Sequence, residues 1–88
     1  MSEKEKNPFE DIRAAFLEAV EMQLRENDPP ETRLTLERLK TEGLGEIEAK
    51  EKIAEAIEAE TLWILENKEI FNRARFSKRL QKLSKSSR

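Results

Sequence analysis

EIEAKEKIAEAIEAETLWILE, residues 46–66, is the stretch on which the fold turns. Ala49, Ile53, Ile57 and Ile64 recur at helical steps and share one face, with Ala56, Leu62 and Leu65 beside it. Neither glycine nor proline interrupts the run, so the spacing predicts a long amphipathic helix. Upstream, Gly43-Leu44-Gly45 reads as the C-cap and turn of a preceding helix. It is too short for a phosphate-binding loop, and no G-x-G-x-x-G or G-K-[ST] follows it. The preceding helix carries Leu34, Leu36 and Leu39. It starts at Asp28-Pro29-Pro30-Glu31, with Asp28 as the cap, the prolines in the first turn and Glu31 completing a capping box.

Farther back, Asn7-Pro8-Phe9-Glu10 repeats that grammar. A first long helix runs from it to about Arg25, with Phe9, Ile12, Phe16, Val20 and Leu24 as its stripe, widened by Ala15, Leu17 and Ala19. Downstream of residue 66, Asn67-Lys68-Glu69 breaks the pattern. Ile70 and Phe71 read as a buried plug, and Asn72 caps a last helix with Phe76, Leu80 and Leu83 on its stripe. Residues 1–6 read as a disordered lead, 7–84 as a single helical domain and 85–88 as a frayed basic tail. The expected fold is all-α, a bundle of three to four helices: two long, one short and one C-terminal. The first and third form its frame, the second connects them, and the fourth packs across one end.

The 88 residues contain neither histidine nor cysteine. The usual general base, the usual transition-metal ligands, thiolate nucleophiles and disulfides are therefore all missing. With 41% charged residues of alternating sign and apolar residues recurring among them, the chain reads as charged helices on a modest core. No apolar run of about 18 residues is present, so no membrane span is expected. Residues 1–6 do not resemble a signal peptide, and a cytoplasmic location is the default expectation.

Few residues are candidates for chemistry. Glu60 falls on or beside the stripe of Ile57 and Ile64. Half-buried and unpaired, it would have a raised pKa and the makings of a general acid; as a boundary residue, it would pair with an Arg or Lys. Glu18 and Glu21 would approach Glu58 or Glu60 across the bundle, but carboxylate-bridged metal sites of that kind also use Glu-x-x-His. No calcium-loop pattern occurs, and Ser2, Ser77, Ser84, Ser86 and Ser87 have no base beside them. The sequence therefore assigns no catalytic, cofactor-binding or metal-binding residue and no small-molecule substrate. Trp63 lies at the edge of the stripe, which favours a place in the core. Exposed, it would anchor a partner protein together with Leu62. A helix apolar on more than one face packs on two sides or dimerises.

Charge is segregated. Residues 1–66 carry nine basic against eighteen acidic side chains, and residues 67–88 carry eight against one. The last helix either docks its cationic face against the acidic body or presents Arg73, Arg75, Lys78, Arg79 and Lys82 to phosphates or an acidic partner. Against nucleic acid stand the missing aromatic platform and a pI near 5.3.

Glu21-Met22-Gln23-Leu24, Asp28-Pro29-Pro30, Leu39, Gly43, Glu48-Ala49, Glu60 with Trp63, Phe71 and Phe76 form an ordered series over residues 9–83. The series is similar to a family of small bacterial helical proteins classed as a domain of unknown function. That family carries histidines on its first and third helices, which implies a metal site in some members. Here Arg13, Leu17, Ile47 and Glu51 stand in those neighbourhoods, so the resemblance implies the fold and no activity. The expected function is a non-enzymatic module acting through protein contacts, with an unknown partner or as a homodimer. The alternative is weak, sequence-independent nucleic-acid binding through the basic last helix.

Overall fold

The long run opened above forms α3, Glu46–Asn67, in the computed structural model, which describes residues 8–84. Around it lie α1 (Pro8–Glu26), α2 (Pro30–Thr41) and α4 (Arg73–Gln81), and no strand occurs among the described residues. The protein is an all-α helical bundle. The Asn7 cap, the lead of residues 1–6, the tail of residues 85–88 and the side chains of Phe9 and Glu10 lie outside the described residues.

Three helices end by the same device. Asn27, Gly43 and Lys68 each adopt positive φ, of 52°, 108° and 55°. In each case the next N–H reaches back five residues: Asp28 to the Gln23 carbonyl (3.0 Å), Leu44 to Leu39 (3.1 Å) and Glu69 to Ile64 (3.2 Å). These closures satisfy terminal carbonyls and turn the chain sharply. The helix starts differ more. Gly45 donates its N–H to the Glu48 carboxylate (3.3 Å) to open α3, and the Asn72 side chain accepts the Arg75 N–H (2.9 Å) to open α4. Asp28 does not cap α2, contrary to the sequence expectation. Pro29 holds that position with extended backbone, and the first-turn Thr32 N–H goes to the Pro29 carbonyl (3.1 Å).

Val20 and Leu24 from α1, Leu36 and Leu39 from α2, Ala49, Ile53, Ala54 and Ala56 from α3, and Phe76 and Leu80 from α4 make one core. Helix α2 is more than a connector, because it packs on all three other helices. Its inner face keeps Leu36 and Leu39 of the leucine row expected from sequence but not Leu34. Leu34 is 67% exposed, whereas Thr32 and Thr35 are buried. Thr32, Thr35, Leu36 and Leu39 share a face at helical steps, and Leu34 lies about 200° from Thr32. Burial of Thr32 is made possible by its hydroxyl donating to Gln23 Oε1 of α1 (2.7 Å).

The 70–71 plug is also absent. Ile70 is 86% exposed, and Phe71 is half exposed, leaning on Phe76 with ring centroids 5.7 Å apart. The left-handed turn at Lys68 carries this connection over the surface. Helices α1 and α4 each pack on α2 and α3, but among the described residues their Cα atoms do not come within 8 Å of one another.

Candidate functional site

Glu60 occupies the core face of α3 one turn beyond Ala56 and is 2% exposed. Its carboxylate accepts from Arg75 Nε (3.0 and 3.1 Å) and Nη2 (2.7 Å), from Arg79 Nε (3.1 Å) and from the Asn72 backbone N–H (3.4 Å). Both arginines project from α4 one turn apart, so a single carboxylate receives one face of that helix. The hydrogen bond from Arg75 holds the Glu60 carboxyl below its ordinary range. Burial pushes the other way, and Arg79 and the Asn72 N–H add to the lowering. Glu60 is thus buried and also paired, which is the reverse of a general acid with a raised pKa. No buried side-chain polar atom among the described residues lacks a hydrogen-bond partner.

Arg75 also reaches Glu69 Oε1 (3.2 Å), and its guanidinium lies over the Trp63 ring, 5.4 Å from the centroid. The Trp63 N–H donates to the same Glu69 oxygen (3.4 Å). Trp63 is nevertheless 40% exposed, so its expected place in the core is not where it lies. The residue that faces inward at this level of α3 is Glu60, and Trp63 lies over the flank of the ion cluster.

The basic face of α4 is largely engaged within the molecule. Arg73 forms a two-toothed pair with Glu31 of α2 (3.3 and 3.1 Å), and Arg75 and Arg79 converge on Glu60. The Arg73 pair is exposed and adds little stability. Of the five sequence candidates, Lys78 and Lys82 have no carboxylate partner among the described residues. Glu21, a sequence candidate for a metal site, accepts instead from Lys50 Nζ (2.7 Å). Among the described residues no group of three acidic side chains is placed to hold a metal ion. Nor is any helix among them long and apolar enough to cross a membrane.

Apolar surface remains on the side of α3 away from Glu60, continuing round the helix from Trp63. Leu62 is 51% exposed and Leu65 still more so. Ala54, Glu58, Leu62 and Leu65 follow at steps of four, four and three, so they lie in one sector of the helix. That sector borders α1. Lys50 pairs with Glu21, while Arg13 and Glu58 line one groove, so α1 and α3 run antiparallel. The groove encloses about 310 Å³, with Ile12, Phe16, Leu17 and Ala54 as its apolar lining. Periodicity missed this groove because it placed Ile12, Phe16 and Leu17 on the buried side of α1, whereas Ile12 is exposed and Phe16 and Leu17 are only partly buried. Compared with protein-family models, curated proteins and solved structures, the chain matches none.

Proposed function

We propose that the chain is a non-catalytic helical module that binds another protein through the outer side of α3, with Leu62 and Trp63 in the contact. The observation that supports this reading is the exposure of Leu62, Trp63 and Leu65 on a regular helix, followed at once by exposed Ile70 and Phe71. Single exposed apolar residues are ordinary, but five within ten residues form a concentration that a binding surface explains. Tryptophan is among the residues that most often anchor an interface, and one held on a helix loses little freedom on binding. The partner is either a second copy or a different protein.

A photoreactive residue placed at position 62 should give discrete protein adducts in cells, whereas one at Glu37, on the exposed face of α2, should give none. Equal labelling from both positions, or none, would overturn the reading. Sedimentation from micromolar to millimolar chain then separates self-association from a foreign partner. The alternative through Lys78 and Lys82 predicts that a labelled nucleic-acid strand binds at about 50 mM salt and is released by about 200 mM. We expect no such binding, because Arg73, Arg75 and Arg79 already hold carboxylates.

A further inference from the structure

Resting on that docking reading, we infer that the α1–α3 groove, continued along Leu62 and Leu65, receives a basic amphipathic helix. Its apolar floor is Ile12, Phe16, Leu17 and Ala54. The α3 side of the rim is Glu51, Glu55 and Glu58, facing the single cation Arg13 on α1. None of the three glutamates has an ion-pair partner among the described residues. The groove therefore joins apolar surface to unneutralised negative charge, and the complementary object is apolar on one side and cationic beside it.

The occupant is argued to be a helix for two reasons. A furrow between two antiparallel helices is the shape into which a third helix packs. From Glu51 to Leu65 it runs for about 21 Å, the length of a helix of about four turns. The protein also contains its own example. On the other flank of α3, α4 lays Phe76 and Leu80 against the core and gives Arg75 and Arg79 to Glu60. The α1 flank offers the same combination of apolar residues and carboxylates. A second copy placed groove to groove is disfavoured, because it would set two acidic rims against each other.

The probe is a labelled designed peptide, a four-turn helix of leucine and lysine with leucine at every third and fourth position. Two controls accompany it: the same peptide with glutamate for lysine, and a shuffled peptide of identical composition without an apolar face. Measured by anisotropy, the leucine–lysine helix should bind about tenfold more tightly than the shuffled peptide, and the glutamate version should not bind. Ile12→Glu, at an exposed position, should abolish binding with the helical circular dichroism unchanged. The triple variant Glu51→Gln, Glu55→Gln, Glu58→Gln should weaken it about tenfold and flatten its salt dependence. Equal affinity for the shuffled peptide, or full affinity in Ile12→Glu, would overturn the inference. Adducts at position 62 with no binding of the leucine–lysine helix would sink the partner class while leaving the docking reading in place. Absence of both would remove the docking reading as well.

Discussion

Replacing Phe76 with alanine is expected to cost about 3–5 kcal/mol and to free α4 from the body. Phe76 is the largest of the fully buried side chains. Helix α4 has nine residues, and Phe76 and Leu80 are its only buried ones. So short a helix is unstable alone and stays folded only while its apolar face is packed. A domain of this size has a total stability of roughly 4–13 kcal/mol, so the loss takes a large share of it. Urea unfolding followed by far-ultraviolet circular dichroism measures the cost. Trp63 emission reports α4 separately, because the Arg75 guanidinium leaves the indole when α4 detaches. If the alanine variant does not fold, Phe76→Leu keeps most of the volume and should lose about 1 kcal/mol. A loss below about 1 kcal/mol for Phe76→Ala would contradict this account of how α4 is held.

Removing the carboxylate that binds Arg75 and Arg79 is the second large effect. Glu60→Ala should cost about 2–4 kcal/mol, somewhat less than breaking a fully buried pair, because both arginines are partly exposed and turn to water. The expected pH behaviour follows from the lowered carboxyl pKa of folded Glu60. Between the depressed folded value and the ordinary value of 4.5, the unfolded chain holds more protons on this group than the folded one. Its contribution is therefore complete above the ordinary value and is lost as pH falls through the folded value. Glu31 and Glu46 are lowered too, Glu31 chiefly by a backbone hydrogen bond and Glu46 by Lys50, but both sit at the surface. Glu60→Gln should thus flatten the acid limb of the stability curve more than Glu31→Gln does. Equal acid limbs in wild type and Glu60→Gln would show that the carboxylate charge does not hold α4.

Much of the fold was legible because the signals are local. Gly43 and Gly45 mark the α2–α3 turn, Asn72 caps α4, and Phe76 and Leu80 lie on the expected stripe. The Lys68 closure was visible only as a break in periodicity, because lysine carries no intrinsic signal for a left-handed residue. Tertiary partners decided the rest. Thr32 is buried because Gln23 stands opposite it, and no pattern within α2 shows that. Glu60 is buried because Arg75 and Arg79 arrive from fifteen and nineteen residues away. The charge imbalance between the two parts of the chain left both fates of the basic helix open. Its pairing with Glu31 and Glu60 is a property of the packed molecule. The sequence offered Leu62 and Trp63 as candidates, yet the groove beside Leu62 exists only where Phe16 and Leu17 stop short of full burial.

The separation of the α1 and α4 backbones has a thermodynamic corollary. Energetic coupling between the two flanks runs mainly through α2, α3 and the core side chains packed between them. Changes confined to one flank should therefore add to changes on the other, leaving a double-mutant interaction energy near zero. Hydrogen exchange would then see two independent partial openings above a shared, slower-exchanging pair of inner helices. In such an arrangement α1 can be engaged and released without disturbing the ion cluster that fastens α4.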